Sequence, residues 1–382
     1  MTVHKNALPT NFLHPGNSDM AVVILARDES PVLRDTLSSL NLLLGPNDRI
    51  HVVADHCRDL TAETARTMGA QVHVRSGGGS CRKGTALAWW LERTRAQSRQ
   101  SQIVVVLDAD THADASFFKR IRRRFRSGAT VVQARVKPVV TSSSPIALLA
   151  ALSENTEQMV YERIRGALGW SARLRGTGMA FRRDVLETVA PKLRTLTEDA
   201  ELTILLAAAR IPIQFAPETF VLDPKPSDRH GAIRQRSRWL RGQGQVMWSH
   251  PQAMIRLLFQ GPRGWSLVAG LVAKPKSFFV PLQVAILLGL WSLPPHSFEL
   301  ALPWILLPML ALVILLTNML ALLYALLVSP NRQATVLSLF ISPFYLLMWL
   351  RSLATALVTK EQWPRTRRAM GERPTREPTI AG

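Results

Sequence analysis

Short apolar runs alternate with amphipathic stretches over the first two hundred residues of the chain. Four of these runs predict β-strands, at Ala21–Leu25, Ile50–Ala54, Gln71–Arg75 and Ile103–Leu107. Helical patterns lie between them, at 31–42, 61–69 and 84–96. Strands that are apolar along their whole length are typical of a sheet covered on both faces. The alternation therefore predicts an α/β fold with a parallel, doubly wound sheet, in a domain over residues 20–230.

The last part of the chain has a different pattern, with long apolar runs that are rich in leucine. These runs are Ser277–Leu293, Leu300–Val328 and Val336–Leu350, and the third extends to Val358 if Arg351 reaches the lipid interface. A helix needs about 20 residues to cross the hydrocarbon core of a bilayer. We therefore predict two or three membrane helices over 277–358, preceded by interfacial helices over 231–276. Buried core helices of a soluble protein are the alternative.

The two ends of the chain bear on its location. Residues 1–19 contain no apolar run, which predicts a flexible N-terminus without a signal peptide. Lys and Arg residues precede the first long run, which favours an inside position for the soluble domain. The predicted location is the inner (plasma) membrane, multi-pass, with a cytoplasmic catalytic domain and a basic tail at 359–382.

Charge and cysteine content exclude several classes of protein. The formal net charge is +20, and two cysteines, Cys57 and Cys81, cannot form a disulfide scaffold. The densest basic run, 119–126, lacks interleaved aromatic residues for base stacking, so it indicates a solvated or lipid-facing helix surface, and no nucleic-acid partner is expected. Gly77–Gly79 with Lys83 does not have the spacing of a Walker motif.

Acidic residues stand at the carboxyl ends of the predicted strands, where ligands bind in sheets of this kind. Asp28 and Glu29 follow the first strand, Asp55 the second, and Asp108 and Asp110 the fourth. Two carboxylates two residues apart can approach one Mg²⁺ or Mn²⁺ ion together, since both ions prefer oxygen ligands. Solvated loop carboxylates are the alternative interpretation of Asp108 and Asp110.

Two further motifs carry chemistry. Thr197-Glu198-Asp199 precedes a helical pattern, so Thr197 could be an N-cap, or Asp199 could be a general base at a helix start. The segment Gln235-Arg236-Ser237-Arg238-Trp239 offers guanidinium groups for phosphate and an aromatic platform for a sugar. A basic amphipathic helix on anionic lipid is the alternative interpretation of the second motif, and both can hold at once.

The order and spacing of seven motifs together resemble the membrane-bound branch of family 2 glycosyltransferases, which includes cellulose, hyaluronan and poly-N-acetylglucosamine synthases, and also ceramide glucosyltransferases. The motifs are VVILARDE, VVADHCRDLTAETA, RKGTALAWWLE, VVVLDADT, RGTGMAFRR, LTEDAEL and QRSRW. The resemblance covers about residues 20–250. It implies a GT-A domain, Rossmann-like, followed by interfacial and transmembrane helices.

The resemblance implies a role for each matching residue. Those that contact the nucleoside or lie near the nucleotide are Ala26, Asp28, Glu29, Asp55 (to the uracil) and Lys83. Asp108 and Asp110 contact ribose or phosphate and the metal, Mg²⁺ or Mn²⁺. Asp199 is the implied base, with Glu198 beside it as a second catalytic candidate. The residues that hold the pyrophosphate and line the acceptor site are Gln235, Arg236, Arg238 and Trp239.

The function expected from these residues is inverting transfer of a sugar from a UDP-sugar to a polysaccharide at the inner membrane face. A lipid acceptor that receives a single sugar is the alternative. A non-catalytic, membrane-tethered basic adaptor is a rival from another class, which the high positive charge favours and the complete set of acidic and QRSRW residues opposes. Membrane lipids are expected partners, and partner subunits or an oligomer are left open.

Overall fold

The computed structural model describes residues 19–77, 80–97, 102–140, 144–225, 229–272, 288–289, 301–327, 332–340 and 342–358. The predicted N-terminal segment, except for Asp19, lies outside these residues. So do most of the first long apolar run, at 277–293, and the basic tail at 359–382.

Eight strands of the described residues form one sheet, in the order β3-β2-β1-β4-β7-β6-β8-β5. The strands are β1 Met20–Ala26, β2 Arg49–Asp55, β3 Gln71–Arg75, β4 Ile103–Asp108, β5 His112–Ala113, β6 Val131–Val139, β7 Met179–Arg182 and β8 Ile213–Pro224. All four predicted strands are confirmed. The sheet buries β1 and β4 along almost their whole length, whereas β3, at the edge of the sheet, is only partly buried.

The prediction of a wholly parallel sheet is wrong for its second half. Strands β1 to β4 are mutually parallel. However, β7 inserts between β4 and β6 and runs antiparallel to both, and β5 runs antiparallel to β8. The four-residue β7 is too short to give a periodic signal, and this explains why the pattern of apolar residues missed it. The fold is an α/β unit with a mixed sheet.

The strand register brings the acidic residues to one edge of the sheet. Leu25 pairs with Asp108 across β1 and β4, and Ala26 pairs with Ala54 across β1 and β2. Because the three strands are parallel, their carboxyl ends lie side by side, and the loops that follow them share one edge.

Helices cover both faces of the sheet. They are α1 Ser30–Asn41, α2 Thr61–Thr67, α3 Lys83–Arg93, α4 Phe117–Arg126, α5 Pro145–Thr156, α6 Arg163–Ala167, α7 Arg183–Val189, α8 Glu198–Ala208, α9 Arg229–Ser249, α10 Pro251–Leu258 and α11 Pro262–Val272. A π-helical turn, Glu157–Glu162, joins α5 to α6. One apolar core packs α1 and α4 on the sheet, and a second packs α3, α7 and α8 on the opposite face.

Helix α4 explains the dense basic run of the sequence. Phe117, Phe118, Ile121 and Phe125 are buried, whereas Lys119 and most of the arginines point outward. Arg124 forms a two-pronged ion pair with Glu218 at 2.8 and 2.9 Å. The run is therefore a solvated helix face.

Three helices occupy the described part of the leucine-rich block: α12 Ala301–Leu327, α13 Arg332–Leu339 and α14 Ser342–Val358. They pack against the α/β unit, with α12 and α13 on α5 and with α14 along α9. Among the described residues no helix meets the combined length and hydropathy expected of a membrane span. The prediction of transmembrane helices over 277–358 is thus not supported where the block is described.

Candidate active site

The ends of β1 and β2 form the first part of the site. Asp28 and His56, the second residue after β1 and the first after β2, both adopt left-handed backbone conformations, with φ of 55° and 52°. Such strain in residues with a side chain clusters at functional sites. The Asp28 carboxylate accepts a hydrogen bond from the Arg58 backbone at 2.6 Å, and the Glu29 backbone donates to Thr61 at 2.9 Å. These bonds fix the predicted nucleoside residues beside the end of β2.

Asp55 is fully buried at the end of β2. One of its carboxylate oxygens accepts from Arg75 at 2.6 Å and pairs with His56 at 2.8 Å. The other oxygen, Oδ2, is buried and has no donor among the described residues. A buried acceptor of this kind is costly unless a ligand supplies a donor, which fits the predicted contact with a nucleobase N–H.

Two groups of residues beside these strand ends have the composition of metal ligands. They are Asp55, His56 and Cys81, and Asp28, Cys57 and Asp59. In the first, Arg75 and His56 already occupy one Asp55 oxygen. In the second, burial raises the pKa of the Cys57 thiol to about 11, which disfavours the thiolate that binds metals. Both groups are better explained as the scaffold of the predicted nucleoside site.

Charged side chains from three different elements meet next to β4. The Lys83 ammonium, at the start of α3, lies 2.5 Å from Asp108 Oδ1. Burial opposes the charge on Lys83, but Asp108 and Glu198 outweigh burial and raise the pKa of Lys83 above its ordinary value. Arg238 of α9 also interacts electrostatically with both Lys83 and Glu198. We call Lys83, Asp108, Glu198, Asp199 and Arg238 the charged cluster.

A glycine allows α3 to approach the start of α8. A Cβ at Gly84 would lie 3.0 Å from Leu193 Cβ and 3.3 Å from Glu198 Cβ. Any larger residue would push Lys83 away from Glu198. In the Lys-Gly pair of the RKGTALAWW motif, the glycine therefore allows the close packing that places Lys83 in the charged cluster.

Glu198 is the most perturbed carboxyl group of the cluster. It is 4 % exposed. Burial above all, with the neighbouring charges of Asp199 and Asp108, raises the pKa of Glu198 to about 7 against the opposing effect of Lys83 and Arg238. Near neutral pH this group therefore exchanges a proton in the middle of the site.

The raised pKa of Glu198 predicts a pH dependence of stability. Between the ordinary value of 4.5 and about 7 the folded protein holds a proton that the unfolded chain has released. The contribution of Glu198 to the free energy of unfolding therefore decreases as the pH rises through that window. Urea denaturation of wild type and Glu198→Gln at several pH values across this window measures the effect. The free energy of unfolding should decrease less with pH in the variant than in wild type. Equal slopes for the two proteins would contradict the raised pKa of Glu198.

Glu201 stabilises the segment that leads to Asp199. This buried carboxylate accepts from the backbone of Arg194 and Thr195 at 2.9 Å and contacts His250 Nε2 at 2.6 Å. Thr197 occupies the N-cap position of α8, as the motif predicts, but its hydroxyl makes no capping hydrogen bond and has no partner among the described residues. Asp199 Oδ1 accepts from the Ala200 backbone at 2.8 Å.

Helix α9 and His250, the residue that follows it, contact the segment around the start of α8 at three points. Gln245 accepts from the Leu196 backbone at 3.1 Å, and His250 contacts Glu201. The third contact is made by Gly242, which lies so close to Thr197 that an added Cβ would be 2.5 Å from the Thr197 methyl carbon. This contact determines how closely α9 approaches the start of α8. It thereby also fixes the position of Arg238, which lies one turn earlier in α9.

Gly242→Ala should therefore damage the site. The new methyl group must displace Thr197 or α9, and overpacking of this kind costs about 1–3 kcal/mol. We expect a lower melting temperature and a reduced transfer rate. Gly244→Ala, in the same helix, is the matched control: its Cβ meets nothing within 4 Å, so it should stabilise the helix by about 0.5–1 kcal/mol. Equal behaviour of the two variants would contradict the proposed contact.

The remaining residues of the QRSRW motif are placed differently. Arg236 is buried, donates to the Ala232 carbonyl at 3.1 Å, and has its guanidinium 5.4 Å from the Trp349 ring centre in α14. Gln235 and Trp239 are half-buried on α9. The charged cluster thus includes Arg238, whereas Arg236 packs towards the C-terminal helix. Pyrophosphate binding by Gln235, Arg236 and Trp239 stays a prediction.

The Asp108–Asp110 turn has the chemistry to hold a divalent cation. The Thr111 backbone donates to the Asp108 carbonyl at 3.1 Å, which closes a tight turn with Asp110 inside it. Asp108 keeps 28 % of its side chain exposed, and Asp110 is half-buried. Two partly exposed carboxylates at the end of a rigid strand fit Mg²⁺ or Mn²⁺.

Sequence reasoning missed the residues that hold these groups together. Gly176 and Thr177 lie between the carboxylate turn and Asp199, and Glu201 with His250 supports α8. The two glycines of the GTG sequence were a usable signal, because glycines two apart before a strand often mark a strained turn. The Glu201–His250 contact joins residues 49 apart and leaves no local signal.

Comparison with known proteins assigns the class. The family described as "Glycosyltransferase like family 2" matches residues 15–242, so the chain belongs to the family 2 glycosyltransferases and is an enzyme of that kind. The probable glycosyltransferase YdaM of Bacillus subtilis is 26 % identical over 243 residues, covering 60 % of this chain and 56 % of the relative.

A second relative is the beta-monoglucosyldiacylglycerol synthase of Nostoc sp., 25 % identical over 232 residues, or 58 % of this chain and 48 % of the relative. The chain thus spans about half the length of the curated relatives it matches. Among solved structures, the mannosyltransferase PcManGT from Pyrobaculum calidifontis, in complex with GDP-Man and Mn²⁺, has a TM-score of 0.51 and 16 % identity over 90 % of this chain and 88 % of that one. This likeness shows a GT-A-like fold.

Proposed function

We propose that this protein transfers a sugar from a nucleotide sugar to an acceptor hydroxyl at a membrane surface, with inversion at the anomeric carbon. The observation that carries the proposal is the charged cluster. Residues from α3, β4, α8 and α9 bring two cations, a carboxylate turn suited to a metal ion and a helix-start aspartate to one edge of the sheet.

The donor binds along the strand ends. Asp55 accepts from the nucleobase, and Lys83 and Arg238 offset the negative charge of the diphosphate. Asp108 and Asp110 would hold Mg²⁺ or Mn²⁺, which when bound would neutralise charge on the departing diphosphate. We take UDP as the nucleotide, as the resemblance implies; the PcManGT structure, which contains GDP-Man and Mn²⁺, makes a guanine nucleotide the competitor to test.

The chemistry is a single displacement. Asp199 takes the proton from the acceptor hydroxyl while that oxygen attacks the anomeric carbon. The bond from this carbon to the diphosphate oxygen breaks, and the electron pair leaves with the nucleoside diphosphate. One displacement from the opposite face inverts the configuration of the sugar.

Exposed apolar side chains support a membrane location. Trp248 and Phe259 are 86 and 89 % exposed, and Trp265 is 55 % exposed on α11. The exposed Arg256 and Arg263 flank them, so this surface combines apolar contact with attraction to anionic headgroups. We propose that α10 and α11 rest on the inner face of the membrane.

A lipid acceptor agrees best with this surface. The long helix α12 adds further exposed apolar residues, at Leu312, Leu316, Leu320, Leu323 and Leu327. An acceptor that resides in the bilayer would reach the site directly, and one of the relatives is by name a beta-monoglucosyldiacylglycerol synthase, whose product is a lipid with one sugar by that name. A growing polysaccharide, the acceptor expected from the sequence, is the competing proposal.

The test is an assay of the purified full chain with lipid vesicles, Mn²⁺ or Mg²⁺, diacylglycerol, and a panel of radiolabelled UDP-sugars and GDP-mannose. Label in a lipid that carries one sugar supports the lipid acceptor, and label in a large polymer supports the polysaccharide. No transfer, together with no metal-dependent UDP or GDP binding by calorimetry, would overturn the proposal in favour of the non-catalytic adaptor.

A further inference from the structure

The segment Leu174–Gly178 connects the two chemically distinct halves of the candidate site. It leads into β7 and contains two glycines with left-handed backbone, Gly176 at φ 80° and Gly178 at φ 65°. A Cβ at Gly178 would lie 3.0 Å from Val221 Cγ2. The left-handed backbone disfavours a side chain at both positions, and at Gly178 a side chain would also crowd Val221.

On one side, this segment holds the turn with the predicted metal ligands. The Thr177 hydroxyl accepts a hydrogen bond from the Asp108 backbone at 3.1 Å and shares a second bond with the Thr111 hydroxyl at 2.9 Å. Thr177 therefore contacts the residues at both ends of the turn that carries Asp110. Thr177 and Thr111 are buried, at 2 % and 0 % exposure, so water does not substitute for either partner.

On the other side, the segment holds the start of α8. The Leu174 backbone donates to the Thr203 hydroxyl at 3.0 Å, and that hydroxyl donates to the Asp199 carbonyl at 2.7 Å. A Cβ at Gly176 would lie 3.8 Å from both Asp199 Oδ2 and Glu198 Oε1. Gly176 therefore packs directly against the two acidic side chains.

Gln133 of β6 fixes the shape of the segment from within the sheet. This fully buried side chain accepts from the Arg175 backbone at 2.9 Å and donates to the Thr177 carbonyl at 3.0 Å. It also donates to the Ala134 carbonyl at 2.8 Å. A polar amide in the buried part of a strand is costly unless both its oxygen and its nitrogen are bonded, and here both are bonded.

We propose that Leu174–Gly178 acts as a rigid bridge that sets the distance between the Asp108–Asp110 turn and Asp199, and that Thr177 and Gln133 are the positioning residues of this bridge. The inference rests on the proposed function, since it assigns the diphosphate side of the reaction to the turn and the acceptor side to Asp199. Neither positioning residue contacts the substrate itself.

A positioning role differs from a merely structural one in what a conservative variant changes. Thr177→Val keeps the shape of the side chain but leaves the Asp108 N–H without an acceptor. A misplacement of about 1 Å in an active site can cost about 100-fold in rate. The variant should therefore lose turnover while it keeps its fold, and Thr177→Ser should restore turnover.

The experiment compares wild type, Thr177→Val, Thr177→Ser and the control Thr36→Val. Thr36 is fully buried in α1, on the other face of the sheet, and its hydroxyl has no partner among the described residues. We expect Thr177→Val to reduce kcat by about 10–100-fold while it remains folded, with a melting temperature lower by a few degrees because the Asp108 N–H loses its acceptor. Thr177→Ser and Thr36→Val should remain close to wild type.

Hydrogen–deuterium exchange supplies a readout that does not need turnover. In Thr177→Val and in Gln133→Glu, the peptide over 103–111 and the start of α8 should exchange faster than in wild type and in Thr36→Val. In Gln133→Glu, a carboxylate oxygen would face the Thr177 carbonyl, which repels it.

The outcomes separate the two proposals. Unchanged exchange at both sites, or a folded Thr177→Val with wild-type kcat, overturns the bridge while the proposed function stands. A wild-type protein that neither binds nucleotide nor transfers sugar overturns the proposed function, and the exchange data then decide the structural part of the bridge alone.

Discussion

Asp199→Asn should reduce kcat by about 10²–10⁴-fold, the usual effect of removing a positioned general base. Asparagine has the same shape and can accept the same 2.8 Å hydrogen bond from the Ala200 backbone, so the start of α8 should remain intact. What it lacks is the basic oxygen that takes the acceptor proton. UDP binding, measured by calorimetry with Mn²⁺, should stay near wild type because the nucleotide contacts lie on other elements.

The chain offers a closely matched control for this variant. Asp184 occupies the first turn of α7, and its Oδ1 accepts from the Val185 backbone at 2.8 Å, as Asp199 does from Ala200. It pairs with Arg182 outside the charged cluster. Asp184→Asn should keep its turnover. A folded Asp199→Asn with near-normal turnover would show that another group takes the proton, and Glu198 would become the candidate.

Lys83→Met should lower both stability and affinity for the diphosphate. The Lys83 side chain is 13 % exposed and pairs with Asp108, and it also offsets the charge of Glu198. Removal of one partner from a buried ion pair costs about 3 kcal/mol or more, because the remaining charge is left uncompensated. UDP should bind more weakly because one of the two cations of the charged cluster is lost.

The loss of stability in Lys83→Met should depend on pH in a defined direction. The pKa of Lys83 is raised, so the lysine stays charged throughout the neutral range and the dependence comes from Glu198. Below about pH 7 Glu198 holds a proton, which reduces the uncompensated charge in the variant. The difference in free energy of unfolding between wild type and Lys83→Met should therefore be larger at about pH 8 than at about pH 6.

Two controls accompany this prediction. Lys119→Met removes an exposed lysine of α4 and should have little effect on stability. Lys83→Arg keeps the charge and should retain much of the stability. If Lys83→Met were as stable as Lys119→Met at both pH values, the interaction of Lys83 with Asp108 and Glu198 would contribute nothing to folding.

The first half of the fold could be predicted because its signals are local. Runs of apolar residues mark β1, β2 and β4, interrupted only by His51 in β2, and an acidic residue lies within two positions after each run. The edge that carries Asp28, Asp55 and Asp108 was therefore visible in the sequence. The same holds for Lys83 and Asp199, which the motifs singled out and which the structure brings into one cluster.

What could not be predicted depends on contacts between distant residues. The approach of Gly242 to Thr197 joins elements 45 positions apart, and nothing in either motif marks it. The strand β7 is four residues long. Gln133 did leave a signal that was not used: an amide between the apolar residues Val132 and Ala134 of a buried strand is unusual and indicates a bonding requirement.

The contact between Arg236 and Trp349 has a practical consequence for anyone who wishes to isolate the sugar-transfer unit. Arg236 is 3 % exposed, and its guanidinium lies 5.4 Å from the centre of the indole ring. A chain that ends before residue 342 would lack Trp349, so the Arg236 guanidinium in the middle of α9 would lose its aromatic neighbour. We therefore expect a minimal active fragment to include α14.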